Sequence, residues 1–171
     1  MIQSITGWIH TIAACTALLS GWVVLLRPKA TVFHKAMGYV YSSSMAVLII
    51  TAFFIYHLTK SFNALHIAAI LSCPPLIGGL SAAITRRPRG NWLRRHYFWM
   101  CWSYIGLWAA FVAEVVTRVL RPYLIIHLKP HAGPLFWVIV GVASVVVSVT
   151  GWLLVERNQK LVTVFQNSRE I

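Results

Sequence analysis

Long runs of uncharged, mainly apolar residues alternate with short polar segments along the chain. The uncharged runs cover residues 1–26, 36–59, 61–85, 96–113 and 130–155. A helix needs about 20 apolar residues to cross a bilayer, so four runs qualify as they stand and the fourth in order qualifies once its ends are extended. The pattern predicts five transmembrane helices, over about residues 4–26, 33–57, 63–85, 92–119 and 133–155.

Short connections between these helices predict how they pack. Consecutive helices joined by short loops lie next to each other and antiparallel, as in an up-and-down bundle. We therefore expect an all-α integral membrane protein with a four-helix core, helices 1–4, and a fifth helix in addition. No linker is long enough to separate two domains, so residues 1–171 are expected to form a single transmembrane domain.

Helix 3 contains two residue pairs that disturb a regular helix. Pro74-Pro75 removes backbone hydrogen bonds, and Gly78-Gly79 follows within one turn. The combination predicts a kink or an unwound turn in the middle of the membrane. A kink that serves packing is the simpler interpretation, and a functional hinge or cavity is the alternative.

The composition excludes a soluble domain and changes how the charge is interpreted. Hydrophobic residues make up 58% of the chain, and its acidic residues are three glutamates with no aspartate. The net charge of +12 would indicate nucleic acid in a soluble protein. Basic residues at the ends of membrane helices instead contact anionic headgroups, so the expected partner is the lipid bilayer and no nucleic acid.

The basic residues also predict an orientation. Loop 1–2, loop 3–4 and the tail carry most of them, whereas the amino end has none and loop 2–3 has only Lys60. The positive-inside rule then places the amino terminus outside and the carboxyl terminus in the cytoplasm. Loop 4–5, with Arg118, Arg121 and Lys129, argues mildly against this orientation.

Four histidines lie one per helix on the first four predicted helices, near alternating ends. His10 and His66 lie near the outer ends, and His34 and His96 near the inner ends. Helices 1 and 3 are diagonal in a four-helix bundle, as are helices 2 and 4, so each pair can clamp one flat metal-centred group. Haem iron accepts two axial imidazoles, which leaves no open position and suits electron transfer. The pattern predicts two haem b groups, with the iron held by His10 and His66 in one and by His34 and His96 in the other.

Residues around the histidines fit this interpretation but allow simpler ones. The helical face of His10 is made of small residues, which admit either a flat group or another helix: Thr6, Gly7, Ala13, Ala14, Ala17 and Gly21. Five basic residues near the inner pair are candidates for binding haem propionates or an anionic reductant, or else lipid phosphate: Arg27, Lys29, Lys35, Arg94 and Arg95.

Glu114 and the other three histidines stand outside this pattern. Glu114 is a candidate for proton uptake at an outer acceptor site, or for an ion pair with Arg118 at i+4. His57 is expected at the interface. His127 and His131 have HxxxH spacing, but Pro130 breaks the helix that would turn both toward one metal, so an exposed loop is favoured over a zinc or copper site.

Three segments resemble a family of small bacterial predicted membrane proteins of unknown function. They are HTIAACTALLSGW in helix 1, FHKAMGYVYSSSM leading into helix 2 and RRHYFWMCWSY opening helix 4. The resemblance extends from about His10 to Val119 and implies the plasma membrane of a bacterium as the location. It implies no activity, because none is assigned to that family.

In layout, the chain is also similar to the transmembrane di-haem cytochrome b family of ascorbate-type electron carriers. That family implies one ligand histidine on each of four consecutive helices, which corresponds to His10, His34, His66 and His96. The chain departs from the family because its ligands are closely spaced, no helix precedes the first ligand, and a fifth helix follows.

These observations predict a membrane b-type cytochrome that carries electrons from a small-molecule donor on the cytoplasmic side to an outer acceptor such as quinone or ferric iron. Whether it acts as an electron-transfer oxidoreductase is left open, as is a homodimer or a role as a subunit of a membrane complex. The alternative is a non-enzymatic membrane subunit or a small transporter, with interfacial histidines and no haem.

Overall fold

The computed structural model describes residues 4–55, 62, 64–127 and 132–167, and within these it contains five α-helices and no strand. The helices are α1 Ile5–Leu26, α2 Val32–Ala52, α3 Ala64–Thr85, α4 Trp92–His127 and α5 Ala132–Asn167. The predicted all-α class is confirmed. Three segments are long and apolar enough to cross a membrane, namely Ile5–Leu26, Leu65–Thr85 and Gly133–Asn158.

Side-chain hydroxyl groups cap the amino ends of the first two helices. Ser4 accepts a hydrogen bond from the backbone N–H of Gly7 at 3.1 Å, and Thr31 accepts one from the N–H of His34 at 3.0 Å. Such N-caps satisfy backbone donors that have no partner within the helix. The Thr31 cap also fixes the backbone of His34 in the first turn of α2.

Residues 1–104 form the first of two compact units. Within it, α1 and α2 run antiparallel, because His10 near the start of α1 contacts Thr51 near the end of α2, and Gly21 near the end of α1 approaches Tyr41 in α2. The small-residue face predicted for α1 is largely buried, and its buried residues are Ala13, Ala17, Ser20 and Gly21.

Gly21 allows the beginning of α4 to pack closely on α1. A Cβ atom on Gly21 would collide with a ring carbon of Tyr104. The Tyr104 hydroxyl donates to the carbonyl of Leu18 at 3.0 Å, which holds the ring in this position. Any larger residue at position 21 would therefore have to displace a hydrogen-bonded aromatic ring.

Helix α3 is continuous through both prolines. It runs from Ala64 to Thr85 with Pro74 and Pro75 inside it, so the helix does not unwind there, and the alternative of a kink stays a prediction. Each proline removes one hydrogen bond, and the remaining bonds maintain the helix. The nearby glycines serve packing, because a Cβ on Gly79 would lie 3.1 Å from the backbone nitrogen of Met100 in α4.

Three helix ends differ from the prediction. Helix α2 ends at Ala52, five residues early, where the backbone turns through i→i+3 hydrogen bonds such as Phe53 N–H to Ile50. Helix α5 was expected to end at Val155 but continues to Asn167. Charged residues such as Glu156 end an apolar span, but they are good helix formers, and apolar length therefore underestimates helix length.

Residues 105–171 form the second unit, in which α4 continues beyond its predicted end to His127. The physical reason is burial: Leu124 is 4% exposed, in a cluster with Ala113, Phe136 and Val140. Because the cluster needs Leu124 on the inner face of α4, the helix persists past Pro122. The single domain over residues 1–171 stays a prediction.

Candidate functional site

His34 and His96 lie close together within the first unit. Their ring centroids are 6.5 Å apart and the ring planes are nearly perpendicular, at 81°. His34 stands in the first turn of α2 and His96 in the first turn of α4. The structure thus brings together the two histidines that the sequence assigns to one inner site, although metal binding by them stays a prediction.

Gly79 fixes the tautomer of His96. The Nδ1 atom of His96 lies 2.9 Å from the carbonyl oxygen of Gly79, and a carbonyl can only accept, so Nδ1 carries the proton. In a neutral ring, Nε2 is then the nitrogen with a lone pair. Histidines that bind metals use this arrangement, in which a hydrogen bond at one nitrogen orients the other.

The ring of His34 is less well satisfied. Its Nδ1 atom is buried and has no hydrogen-bond partner among the described residues. A buried polar atom without a partner costs free energy unless something else binds it. His34 therefore retains an unused nitrogen beside His96.

His10 is oriented by a side chain of α2. Its Nδ1 atom lies 2.9 Å from the Thr51 hydroxyl oxygen, and that hydroxyl is within 2.7 Å of the Val47 carbonyl, to which it donates. Because the hydroxyl proton is used on the carbonyl, the ring nitrogen is the donor to Thr51. This again protonates Nδ1, as in His96.

His66 is the most deeply buried of the four histidines, at 1% exposed. The ring of Phe62 stacks on it with centroids 5.0 Å apart, and Phe53 lies at 6.3 Å. An imidazole at this depth in an aromatic environment is unusual for a helix in contact with lipid. The pairing of His66 with His10 stays a prediction.

A buried polar contact connects the two helices that carry the inner pair. The hydroxyls of Tyr41 and Ser103 are 2.8 Å apart, and each residue follows its histidine, His34 or His96, by seven positions. Residues seven apart share a helical face, so this contact places two turns of α2 and α4 in parallel register.

The sequence analysis did not identify the residues that contact these histidines or connect their helices. Tyr41 could have been found from its spacing to His34. Thr51 and the Gly79 carbonyl gave no signal, because they contact the histidines from other helices.

The five predicted anion-binding residues are all exposed: Arg27, Lys29, Lys35, Arg94 and Arg95. Lys29 already has a structural role, because its ammonium donates to the carbonyls of Val24 and Leu25 at 2.7 and 2.6 Å. A cation that binds the last carbonyls of a helix stabilises its carboxyl end. The binding of haem propionates by these residues stays a prediction.

In the second unit, Glu114 and Arg118 form the predicted i+4 ion pair. The distance from Arg118 Nη2 to Glu114 Oε1 is 2.5 Å, and Arg118 Nε donates to the same oxygen at 2.6 Å. This interpretation of Glu114 is confirmed. A role for Glu114 in proton uptake stays a prediction.

Of the remaining three histidines, His127 is among the described residues. His127 was expected in a loop but is the last residue of α4, where its ring centroid lies 4.4 Å from that of Tyr123. His57 and His131 lie outside the described residues. Within the residues the structure describes, no three His, Cys, Asp or Glu side chains gather as a metal centre.

The all-helical fold and its three membrane-length apolar helices define a membrane protein. More specifically, the chain belongs to the predicted membrane protein family DUF2306, whose model matches residues 7–155. This confirms the resemblance to a membrane protein family of unknown function. No curated protein and no solved structure matches the chain, and the likeness in layout to the di-haem cytochromes b stays a prediction.

Proposed function

We propose that this protein is an integral membrane b-type cytochrome with two bis-histidine haem sites. In this proposal all five helices cross the bacterial plasma membrane, with the amino terminus outside and the carboxyl terminus in the cytoplasm. Electrons enter from a small-molecule donor on the cytoplasmic side near His34 and His96. They leave on the outer side near His10 and His66, to an acceptor such as quinone or ferric iron.

The separation of His34 and His96 carries the proposal. With a metal–nitrogen bond of about 2 Å and a ring radius of about 1 Å, two imidazoles on opposite sides of one metal ion have centroids about 6 Å apart. The observed 6.5 Å between these two rings agrees with that value. Ordinary edge-to-face ring pairs have centroids about 4.5–7 Å apart, so this spacing would fit one metal ion held between the two imidazoles and also fits direct ring packing.

The hydrogen bonds of His96 and His10 support the same assignment. In both residues Nδ1 is engaged, by the Gly79 carbonyl or by the Thr51 hydroxyl. Each contact orients the ring and makes Nε2 the coordinating nitrogen. His34 lacks such a contact, because its buried Nδ1 has no hydrogen-bond partner among the described residues.

The surroundings of His66 support a second site at the other end of the bundle. A 1% exposed imidazole between aromatic rings is costly without a specific role. The residues of α1 on the His10 face are small, such as Ala13 and Ala17, and in the proposal this face would have to open to admit a flat group. The His10–His66 site is therefore proposed as the outer haem site.

When bound at a bis-histidine site, haem supplies one-electron redox chemistry with no open coordination position. The residues of this chain hold and orient the ligand nitrogens, through Gly79 for His96 and Thr51 for His10. These roles are those of an electron carrier rather than of an enzyme that binds oxygen.

Optical spectroscopy of the purified full chain tests the proposal. Protein from cells supplied with a haem precursor should show the reduced-minus-oxidised difference spectrum of a low-spin b-type cytochrome. Extraction of haem into pyridine should recover two haems per chain. Protein that folds, as judged by helical circular dichroism, but carries no haem would refute the proposal and favour a membrane subunit or small transporter.

A further inference from the structure

A cavity of about 710 Å³ in the first unit is lined by three arginines. Its wall includes Ser81 and Thr85 at the end of α3, and the arginines are Arg87 and Arg89 in the α3–α4 loop and Arg95 in the first turn of α4. Only Arg95 belongs to the set that the sequence suggested for haem propionates. The cavity is therefore a feature that the proposed electron-transfer path does not explain.

The positive charge of this cavity has no partner of its own. All three acidic residues of the chain lie beyond residue 104, so the unit that contains the cavity has no carboxylate side chain. Among the described residues, the ion pair is that of Glu114 with Arg118, which lies in the other unit. A cluster of three guanidinium groups without a carboxylate attracts an anion from outside.

Hydrogen-bond donors for a bound anion come from the arginines and not from α3. Ser81 donates to the carbonyl of Gly78 at 3.1 Å, and Thr85 donates to that of Ser81 at 2.8 Å. The carboxyl end of α3 also carries a partial negative charge, which disfavours an anion. Binding must therefore come from guanidinium groups, whose planar forks match the oxygens of phosphate.

Three arginines favour a phosphate over a carboxylate. One guanidinium satisfies both oxygens of a carboxylate in a two-pronged contact. A phosphate group offers more acceptor oxygens in a tetrahedral arrangement, so three forks from the loop and from α4 can bind it together. The cavity is also large enough for the headgroup that carries the phosphate.

An apolar surface adjoins the cavity. Ile77 and Ile84 are 64% and 62% exposed, and they share one face of α3 with Ser81, which lines the cavity. This face belongs to a helix that is apolar enough to cross a membrane. A ligand with a phosphate in the cavity would have its hydrocarbon chains beside these isoleucines.

We propose that this cavity is a specific binding site for the phosphate of an anionic phospholipid. The headgroup contacts Arg87, Arg89 and Arg95, and the acyl chains lie along the exposed face of α3. Basic pockets beside membrane helices on the cytoplasmic side commonly bind such headgroups. The site does not require haem, so its test and that of the electron carrier can fail independently.

Native mass spectrometry of the full chain in detergent tests the proposal by titration with two lipids of identical acyl chains. Phosphatidylglycerol should bind about tenfold more tightly than zwitterionic phosphatidylcholine, because the choline cation of the latter would lie beside three arginines and be repelled. Equal binding of the two lipids would overturn the proposal.

Matched variants locate the binding. Arg87→Gln with Arg89→Gln should weaken phosphatidylglycerol binding about tenfold or more. The control, Arg86→Gln with Arg94→Gln, removes the same charge from two residues that do not line the cavity, and it should change binding less than about threefold. Equal losses in both would show a general surface-charge effect and contradict a specific site.

Two further measurements complete the test. Arg87→Lys keeps the charge but loses the two-pronged geometry, so it should weaken binding of the lipid. Free glycerol 3-phosphate should fail to displace phosphatidylglycerol at equal concentration, because it lacks the acyl chains that contact α3. Displacement at equal concentration would identify a soluble phosphate compound as the ligand and overturn the lipid assignment.

Discussion

The two compact units, residues 1–104 and 105–171, differ in the groups they bury. In the described residues, the buried polar side chains all lie in the first unit, and they are Ser20, Ser42, His66 and Ser103. The core cluster of the second unit is apolar, and its members are Ala113, Leu124, Phe136 and Val140. Polar groups inside a membrane are costly, so their concentration in the first unit supports the proposal that the functional sites lie there.

Removal of an inner histidine should have the largest effect. Under the proposed function, His34→Ala should reduce haem content per chain by about half, because one of the two proposed sites would lose a ligand. The matched control is His127→Ala in the second unit, which should retain the wild-type content. Extraction of haem measures the content of both variants. Equal haem content in the two would show that His34 in the first unit is no more important for haem binding than His127 in the second.

Truncation of Leu124 should affect stability without affecting haem. Leu124→Ala leaves a cavity in the apolar cluster of the second unit, at a cost of about 2–3 kcal/mol. Thermal unfolding followed by circular dichroism in detergent should show the loss, while the haem spectrum of the folded protein stays unchanged. A variant with wild-type stability would mean that the cluster does not support the extended end of α4.

A methyl group at position 21 should destabilise the first unit. Gly21→Ala forces the ring of Tyr104 to move from its hydrogen bond with Leu18, at a cost of about 1–3 kcal/mol. Gly38→Ala is the control, because nothing lies within 4 Å of a Cβ there. In a helix interior this control should stabilise the protein by about 0.5–1 kcal/mol. Changes in stability of the same sign in both variants would contradict close packing of Tyr104 on Gly21.

Neutralisation of Glu114 should have the smallest effect. The two side chains of its ion pair with Arg118 are 41% and 50% exposed, and such pairs contribute about 0.5 kcal/mol or less. Glu114→Gln should therefore leave unfolding temperature and haem content nearly unchanged. A strong slowing of electron transfer in this variant would instead show that the second unit takes part in proton uptake.

Periodicity and apolar length predict the helices of this chain well but their ends poorly. The cores of all five helices follow from the hydrophobic runs, whereas α4 extends to His127 because a tertiary cluster buries Leu124. The prolines of α3 suggested an unwound turn that the surrounding helix prevents. A residue that normally interrupts a helix is tolerated where tertiary packing or the neighbouring backbone hydrogen bonds compensate for the hydrogen bond that it removes.

The candidate site was predictable only in part, for a related reason. Helical spacing and alternating ends are visible in the sequence, so the closeness of His34 and His96 could be inferred. The partners that orient the rings, such as the Gly79 carbonyl and Thr51, come from other helices. Contacts of that kind depend on the exact approach of two helices, which no spacing along the chain encodes.

Replacement of one axial ligand by a different one tests the central claim most directly. In His96→Met, a thioether should replace one imidazole of the inner site, which raises the midpoint potential of one haem and leaves the other unchanged. A redox titration followed by optical absorbance measures both potentials, with His127→Met as the control. The account predicts a shift in His96→Met alone, and wild-type haem content and potentials in that variant would contradict it.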